Sequence, residues 1–332
     1  WLRRRARPGT LPGPDGAAIL GGLTVVPATI RLERLEALTA VEGVLRVETA
    51  WRPRRVPPLH QTRGMSGAEA AWQALDPDGV PLDGRGVLLV DIDTGVDIYH
   101  PDLWRGDGGQ YAWLDTDGSG TFTDGDALDV DGDGLPGPDE GLRWWPAPGS
   151  APGSDPSIFQ ASIDHLYQDV DGDGVRDFGP PVFTEADPGY GEPLFRADDL
   201  DGDDELDPGE TLTALLSSKV AAVYETDGTV RRRGVDLIQS QGDTYGHGTN
   251  VASILAGGAK GRRWAGFAPG AELIFANLAY APDHPFVTPL DVRMSWAAAE
   301  GAQIFVYEDG EWIWEFLDGS SNVEILMNEL AA

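Results

Sequence analysis

Between Trp104 and Ser240 the chain repeats a pattern in which aspartates stand at alternate positions among glycines. Residues 101–210 hold 28 Asp and Glu side chains against 4 Arg, a net charge of −24. Carboxylates at such close spacing repel one another in a compact fold unless a cation lies between them. The pattern therefore leaves two alternatives for this segment: it folds around metal ions, or it is a disordered insert in solvent.

The second repeat, which we name loop 2, fits the twelve-residue calcium-loop template at each diagnostic position. Asp129, Asp131 and Asp133 stand at positions 1, 3 and 5, Gly134 stands at position 6, and Glu140 stands at position 12. This alternate spacing directs side-chain oxygens toward one centre. A hard cation such as Ca²⁺ takes about six to eight oxygen ligands, so we expect Ca²⁺ as the cofactor.

Three further loops follow the template less completely. In loop 4, which begins at Asp199, Asp204 replaces the turn glycine, which is possible because Asp tolerates positive φ. In loop 3, which begins at Asp169, Pro180 stands at position 12, so that Asp177 or a distant residue must complete the ligand set. No flanking helices are evident, so these are EF-hand-like loops. The predicted ligands are Asp115, Asp117, Ser119 and Asp126 in loop 1, Asp129, Asp131, Asp133 and Glu140 in loop 2, Asp169, Asp171, Asp173 and Asp177 in loop 3, and Asp199, Asp201, Asp203 and Glu210 in loop 4.

The composition of the whole chain narrows the class of partner. A net charge of −31 disfavours nucleic acid and anionic lipid surfaces and favours cations. The chain has no cysteine, which rules out disulfides and thiolate zinc sites. No apolar run reaches the length of a membrane span, about 18 residues. Calcium loops of this kind suit the millimolar calcium outside cells and predict a secreted or cell-surface protein.

Outside the acidic segment, strand and helix patterns alternate. An apolar strand pattern ends at Asp93 in carboxylates and a glycine turn, and after Gly242 helix and strand patterns follow each other. The predicted segments are a helix at 249–255, a strand at 272–278, a helix at 289–301 and a strand at 303–307. This order predicts an α/β fold with a doubly wound, mostly parallel sheet.

Two short motifs carry residue types that acyl transfer requires. The segment Val87 to Asp97 contains Asp93-Thr-Gly, and Tyr245 to Ala252 contains Gly-His247-Gly-Thr. Both resemble the segments around the catalytic Asp and His of the subtilisin-like serine proteases, the subtilase or peptidase S8 family. The resemblance implies a serine endopeptidase that acts on polypeptides, with His247 as general base and Asp93 as the carboxylate that fixes its tautomer.

The resemblance extends to other segments and also has gaps. Residues 266–271 are similar to the family's Gly-x-Ala-Pro segment, and the run that contains Asp102 suggests that this residue binds a further, family-type calcium. Where the family usually has Ser-Leu-Gly, residues 308–310 read Glu-Asp-Gly. No Gly-Thr-Ser nucleophile motif and no Asn in an oxyanion-hole context appear before Ala332. We therefore expect this N-terminal portion of a protease to precede its nucleophile and oxyanion donor.

Four regions follow from these patterns. Residues 1–63 form a leader and a small α+β unit, similar in pattern to a subtilase propeptide that would act as chaperone and inhibitor. Residues 64–103 form the first part of the catalytic domain, 104–240 a loop-rich calcium-binding insertion, and 241–332 the second part. The alternative function is a non-catalytic, calcium-dependent surface or binding protein on a degenerate subtilase scaffold. An intracellular calcium sensor is less favoured, because sensors pair their loops between amphipathic helices.

Overall fold

The structure is a computed structural model, and it describes residues 2–5, 18–20, 23–26, 36–37, 40–42, 44–47, 59–145, 157–177, 190–278 and 290–307. The chain divides into two compact units, Trp1–Val56 and Pro57–Ala332. The apolar spacing at 320–330 also predicts an amphipathic helix, but this segment and the acidic run at 308–310 lie outside the described residues. None of the described helices is long and apolar enough to cross a membrane.

The first unit contains a four-stranded antiparallel sheet in the order β2-β3-β1-β4. Its strands are β1 (Leu2–Arg5), β2 (Ala18–Leu20), β3 (Leu23–Val26) and β4 (Val44–Val47). The composition of residues 1–16, rich in Arg, Pro and Gly, predicts an irregular leader, and this is wrong for β1, which pairs with both β3 and β4. Main-chain pairing on both sides outweighs the arginine-rich composition of β1, since ladder hydrogen bonds do not depend on side-chain type. The apolar spacing from Ile30 to Val44 predicts a short helix, most of which lies outside the described residues.

The second unit begins with two short helices, α1 (Leu59–Ser66) and α2 (Ala68–Gln73). The guanidinium of Arg63 donates to the carbonyls of Arg262 (3.2 Å) and Ala265 (2.7 Å). The indole N–H of Trp72 donates to the carbonyl of Phe267 at 2.9 Å. The predicted boundary at residue 63 is therefore placed too late, because residues 57–63 already belong to the second unit.

A five-stranded sheet in the order β13-β12-β14-β5-β15 forms the first layer of the second unit. All its pairings are parallel except the one between β12 and β13. The strands are β5 (Leu88–Asp93), β12 (Val220–Tyr224), β13 (Val230–Arg232), β14 (Glu272–Asn277) and β15 (Ile304–Tyr307). The first three residues of β5 and the four central residues of β14 are apolar runs, because both faces of a parallel sheet are covered.

Two helices cover opposite faces of this sheet. α3 (His247–Ala256) shares a buried cluster with Leu89, Leu273 and Phe275, whereas α4 (Leu290–Ala299) shares another with Val90 and Ile274. Successive side chains of a strand point to opposite faces, so this alternation assigns one helix to each side. The fold is α/β, as the sequence predicts.

The predicted insertion, residues 104–240, extends too far, because its last part belongs to the five-stranded sheet. β12 pairs in parallel with β14, and β13 pairs with β12. The apolar run of β12 belongs to the core of the five-stranded sheet, where Val220 and Val223 are fully buried. The charge composition led us to predict that the insertion ends at residue 240, but the chain returns to the five-stranded sheet at Val220.

The insertion itself forms a six-stranded antiparallel sheet in the order β7-β6-β11-β10-β9-β8. Main-chain hydrogen bonds also join its edges, from Leu128 to the Glu140 carbonyl (2.8 Å) and from Leu142 to the Asp126 carbonyl (2.7 Å). A separate hydrophobic core fills it, which includes Leu166 and Phe195. The strands are β6 (Gln110–Leu114), β7 (Ala127–Asp129), β8 (Leu142–Trp145), β9 (His165–Gln168), β10 (Leu194–Asp198) and β11 (Thr211–Leu215).

Arg262 ties the insertion to the five-stranded region. Its guanidinium is buried and donates to the carbonyls of Ala161, Ile163 (2.5 Å) and Asp164 (2.8 Å). Burial lowers the pKa of Arg262 to about 10. Three carbonyl acceptors on a single segment compensate for the desolvation of the guanidinium, so this contact fixes the insertion against the five-stranded region.

Candidate active site and metal centres

Asp93 and His247, the two predicted catalytic residues, are in contact. Asp93 is the last residue of β5 and His247 is the first residue of α3. The imidazole Nδ1 lies 2.8 Å from each carboxylate oxygen of Asp93. The Asp93 side chain is 4% exposed and that of His247 is 56% exposed. A buried carboxylate thus holds an imidazole whose remaining surface faces solvent, which is the arrangement of a general base and the group that orients it.

Close main-chain packing brings the two motifs together. A Cβ on Gly248 would collide with the carbonyl oxygen of Gly95, and a Cβ on Gly95 would collide with that of Gly242. Gly95 also has a φ of 136°, which residues with a side chain rarely adopt. Glycine at both positions therefore allows the turn after β5 to touch the start of α3, and this contact positions His247 over Asp93.

Asp243, which the sequence-based prediction missed, connects the two motifs. Its carboxylate accepts hydrogen bonds from the hydroxyls of Thr94 (2.9 Å) and Thr249 (2.7 Å) and from the backbone N–H groups of Gly246 (2.9 Å) and Thr249 (2.9 Å). Burial acts to raise the pKa of Asp243, but these hydrogen bonds outweigh it and lower the pKa. The sequence does contain a signal that could have identified Asp243: it lies within one turn before the helix that carries His247, a position that favours N-terminal capping.

Four groups of carboxylates in the described residues have ligand atoms within 4.8 Å of one another. Each of the four loops begins at the end of a strand of the six-stranded sheet, namely β6, β7, β9 and β10. Carboxylate oxygens in such groups are the ligands that calcium prefers. The groups are Asp115, Asp117 and Asp126 in loop 1, Asp129, Asp131 and Glu140 in loop 2, Asp169, Asp171 and Asp173 in loop 3, and Asp199, Asp201 and Asp203 in loop 4.

The remaining predicted ligands stand apart from these groups in the described part of the chain. Asp133, Asp177 and Glu210 belong to the loops but to none of the tight groups. The hydroxyl of Ser119 donates to the Thr121 carbonyl at 2.7 Å. Burial raises the pKa of Glu210, and backbone hydrogen bonds to its carboxylate oppose that shift. The structure thus gathers most but not all of the predicted calcium ligands.

Asp204 adopts the conformation that the sequence predicts for it. Its φ is 73°, at the position where the template has glycine. The carboxylate accepts hydrogen bonds from the backbone N–H of Ser162 (2.9 Å) and the side-chain amide of Gln160 (3.2 Å). Because the adjoining segment binds Arg262, the Asp in place of glycine links loop 4 to the contact with the catalytic region.

Asp102, predicted as a ligand of a separate calcium, belongs to none of the four carboxylate groups of the described residues. It lies near the buried side chains of Lys219 and Arg262 and interacts electrostatically with both. Burial lowers the pKa of Lys219 to about 7, and the charge of Asp102 opposes that shift. Protein cations thus surround the position at which the resemblance suggests a metal.

Comparison with known proteins agrees with this geometry. No curated protein and no solved structure matched the chain. The model of the subtilase family, Peptidase_S8, matches residues 84–307, about two thirds of the chain, and includes both Asp93 and His247. The chain therefore belongs to the subtilase family of serine peptidases, a family whose substrates are polypeptides.

Proposed function

We propose that this protein is a serine endopeptidase in which Asp93 orients His247 as the general base for a serine nucleophile. The observation that carries the proposal is the contact of the His247 Nδ1 with both carboxylate oxygens of Asp93, at 2.8 Å each. With a proton on Nδ1, the Nε2 atom is the one that accepts the hydroxyl proton as the serine attacks a peptide carbonyl. Asp93 then stabilises the imidazolium that forms.

In this proposal the serine and the oxyanion-hole Asn come from polypeptide beyond Ala332. The proposed fold of the catalytic domain is a doubly wound, mostly parallel sheet, and the contact of α3 and α4 with opposite faces of the five-stranded sheet supports it. The first unit would act as a propeptide, both chaperone and inhibitor. We also propose secretion or a cell-surface location. The alternative, a non-catalytic calcium-dependent binding protein on this scaffold, is not favoured, since the base and its orienting carboxylate remain paired.

We further propose that loops 1 to 4 bind Ca²⁺ and stabilise the insertion. The residues present suit the ion: each loop gathers three carboxylates with ligand atoms within 4.8 Å, and oxygen donors are those that calcium prefers. Bound calcium would supply the positive charge that offsets the repulsion among these side chains. A ligand that binds only the folded state stabilises it in proportion to the logarithm of its concentration relative to the Kd.

A serine-reactive fluorophosphonate tests the catalytic proposal on a form of the protein that extends beyond Ala332. We expect rapid labelling of one serine, lost in His247→Ala because the hydroxyl is no longer activated. The matched control is His100→Ala, which removes a histidine whose ring accepts a hydrogen bond from the Asp102 backbone N–H at 3.3 Å, outside the pair. Labelling that persists in His247→Ala would contradict the assignment, as would loss of labelling in both variants.

A further inference from the structure

Loops 1, 2 and 4 share one arrangement of hydrogen bonds around the carboxylate at position 12. In each, the two oxygens of that carboxylate accept the backbone N–H groups of positions 2 and 9, and the carboxylate thereby closes the loop. The bonds run from Thr116 (2.9 Å) and Thr123 (2.8 Å) to Asp126, from Val130 (2.8 Å) and Gly137 (2.6 Å) to Glu140, and from Leu200 (2.5 Å) and Asp207 (3.3 Å) to Glu210.

Loop 3 has the same arrangement, but with a residue from outside the twelve-residue window. Its positions 2 and 9 are Val170 and Asp177, and their N–H groups donate to the two carboxylate oxygens of Glu192, at 2.7 and 3.1 Å. The backbone of Glu192 returns these contacts, since its N–H donates to the Asp177 carbonyl at 2.9 Å. The Glu192 side chain therefore occupies the place in loop 3 that Glu140 and Glu210 occupy in their own loops. Glu140 and Glu210 stand at position 12, whereas Glu192 lies beyond the twelve-residue window of loop 3.

A second observation at loop 3 points to a bound cation. Asp169, at position 1, is only 5% exposed. Its Oδ2 accepts hydrogen bonds from Arg143 (3.0 Å) and from the Gly174 N–H (3.1 Å), while its Oδ1 has no hydrogen-bond partner among the described residues. A buried carboxylate oxygen that lacks a partner is costly. A metal ion among Asp169, Asp171 and Asp173, whose ligand atoms lie within 4.8 Å of one another, would satisfy it.

We propose that Glu192 is the closing carboxylate of a divalent-cation site formed by Asp169, Asp171 and Asp173, with Ca²⁺ as the ion. The inference rests on the proposed calcium-binding function of the loops and replaces Asp177 as the completing residue of loop 3. Asp177 contributes its backbone N–H and carbonyl to Glu192, and the carboxylates of both residues lie outside the tight group of three. Carboxylate ligands at this position of calcium loops bind the ion through both oxygens.

Calcium titration calorimetry on the whole chain, with Glu192→Gln against Asp177→Asn, tests the proposal. We expect Glu192→Gln to bind one calcium fewer than the unaltered chain, or to bind one at least about tenfold more weakly, because even outer-shell changes alter metal affinity by roughly 10–100-fold. Asp177→Asn should keep the full stoichiometry and affinities. The reverse result, with loss in Asp177→Asn and none in Glu192→Gln, would overturn the assignment of Glu192.

Thermal unfolding of the same variants separates a ligand from a purely structural residue. If Glu192 is a ligand, Glu192→Gln lowers the calcium-dependent rise in Tm, while its Tm in EDTA stays close to that of the unaltered chain. An equal fall in Tm with and without calcium would mean that Glu192 acts only through its hydrogen bonds, and the proposal would fail. A lack of calcium binding by the unaltered chain would instead overturn the calcium function as a whole.

Discussion

The two sheets of the second unit use the same residue type in opposite ways. In the five-stranded sheet, β5 carries two buried carboxylates, Asp91 and Asp93, and the one at its end, Asp93, contacts one imidazole and the backbone N–H of Thr94. In the six-stranded sheet, the strands end in groups of three carboxylates whose ligand atoms lie within 4.8 Å of one another. The Asp93 carboxylate has an imidazole partner without an ion, whereas each loop places three like charges together. Catalysis and calcium binding should therefore respond to different changes.

The largest expected effect is on catalysis, from Asp93→Asn. The amide keeps the shape of the carboxylate but favours the wrong imidazole tautomer, so kcat should fall by about 10⁴-fold with little change in KM. Steady-state peptide hydrolysis by the form extended beyond Ala332 measures this. The calcium-dependent rise in Tm should be unaffected.

A neighbouring residue provides the control for that change. Asp97 is exposed, and its carboxylate accepts a hydrogen bond from the Tyr99 N–H at 3.0 Å. Asp97→Asn should therefore leave kcat within a few-fold of the unaltered value. Equal losses in the two variants would show that charge near the strand end matters, rather than the contact with His247.

The next largest effect is on stability, from removal of calcium. Each filled site whose calcium is held at about 1,000 times its Kd contributes about 4 kcal/mol to the folded state. Differential scanning calorimetry in EDTA should therefore show a Tm many degrees lower than in calcium, with recovery when calcium is restored. Magnesium should restore less, because it demands a smaller octahedral site. Identical melting in EDTA and in calcium would remove the distinction between the two sheets.

A third effect concerns Lys219, where the chain re-enters the five-stranded sheet. Its ammonium donates to the carbonyls of Ala256 (2.6 Å) and Gly258 (2.5 Å), and burial lowers its pKa to about 7. Between that value and its ordinary pKa of about 10.5, the unfolded chain binds more protons than the folded one, so stability rises with pH in this window.

Lys219→Met tests that linkage. The difference in unfolding free energy between the unaltered chain and the variant should grow with pH from about 7 to about 10, by an amount on the order of 4 kcal/mol. Urea unfolding in saturating calcium at several pH values measures it. A difference that stays constant across this range would contradict a lowered pKa for Lys219.

The smallest expected effect comes from Asp243, which joins the turn after β5 to the start of α3. Loss of a helix cap costs roughly 0.5–2 kcal/mol, so Asp243→Ala should lower the free energy of unfolding by about that amount. Because Asp243 holds His247 in place indirectly, kcat should fall while KM stays the same. Asp243→Asn, which retains one acceptor oxygen, should recover part of both. Full activity in Asp243→Ala would mean that the two motifs align without it.

Local patterns made the central residues predictable. Asp93 and His247 each lie in a short motif whose glycines the fold requires, and loops 1, 2 and 4 each keep their ligands within twelve residues. Glu192 was not predictable in this way, since its partners Val170 and Asp177 lie far back in the chain. Spacing rules cannot anticipate a proposed ligand that lies outside the loop in the sequence and reaches it through the tertiary structure.

Other errors came from reading composition as structure. The apolar run of β12 is visible in the sequence, but the acidic segment before it suggested that the insertion continued to residue 240. The arginines of β1 suggested an irregular leader, although main-chain pairing with β3 and β4 makes it an inner strand. Net charge is a poor guide to which sheet a segment joins, because apolar burial and main-chain pairing decide it.

The most direct test of the central claim is the protonation state of the His247 ring. Nitrogen-detected NMR of the chain at neutral or mildly alkaline pH, with His247→Ala to assign the signals, distinguishes the two tautomers. The contact of Nδ1 with Asp93, at 2.8 Å from both oxygens, predicts that the neutral ring carries its proton on Nδ1 and that Nε2 is unprotonated. A neutral ring with its proton on Nε2 would contradict the role of His247 as an oriented general base.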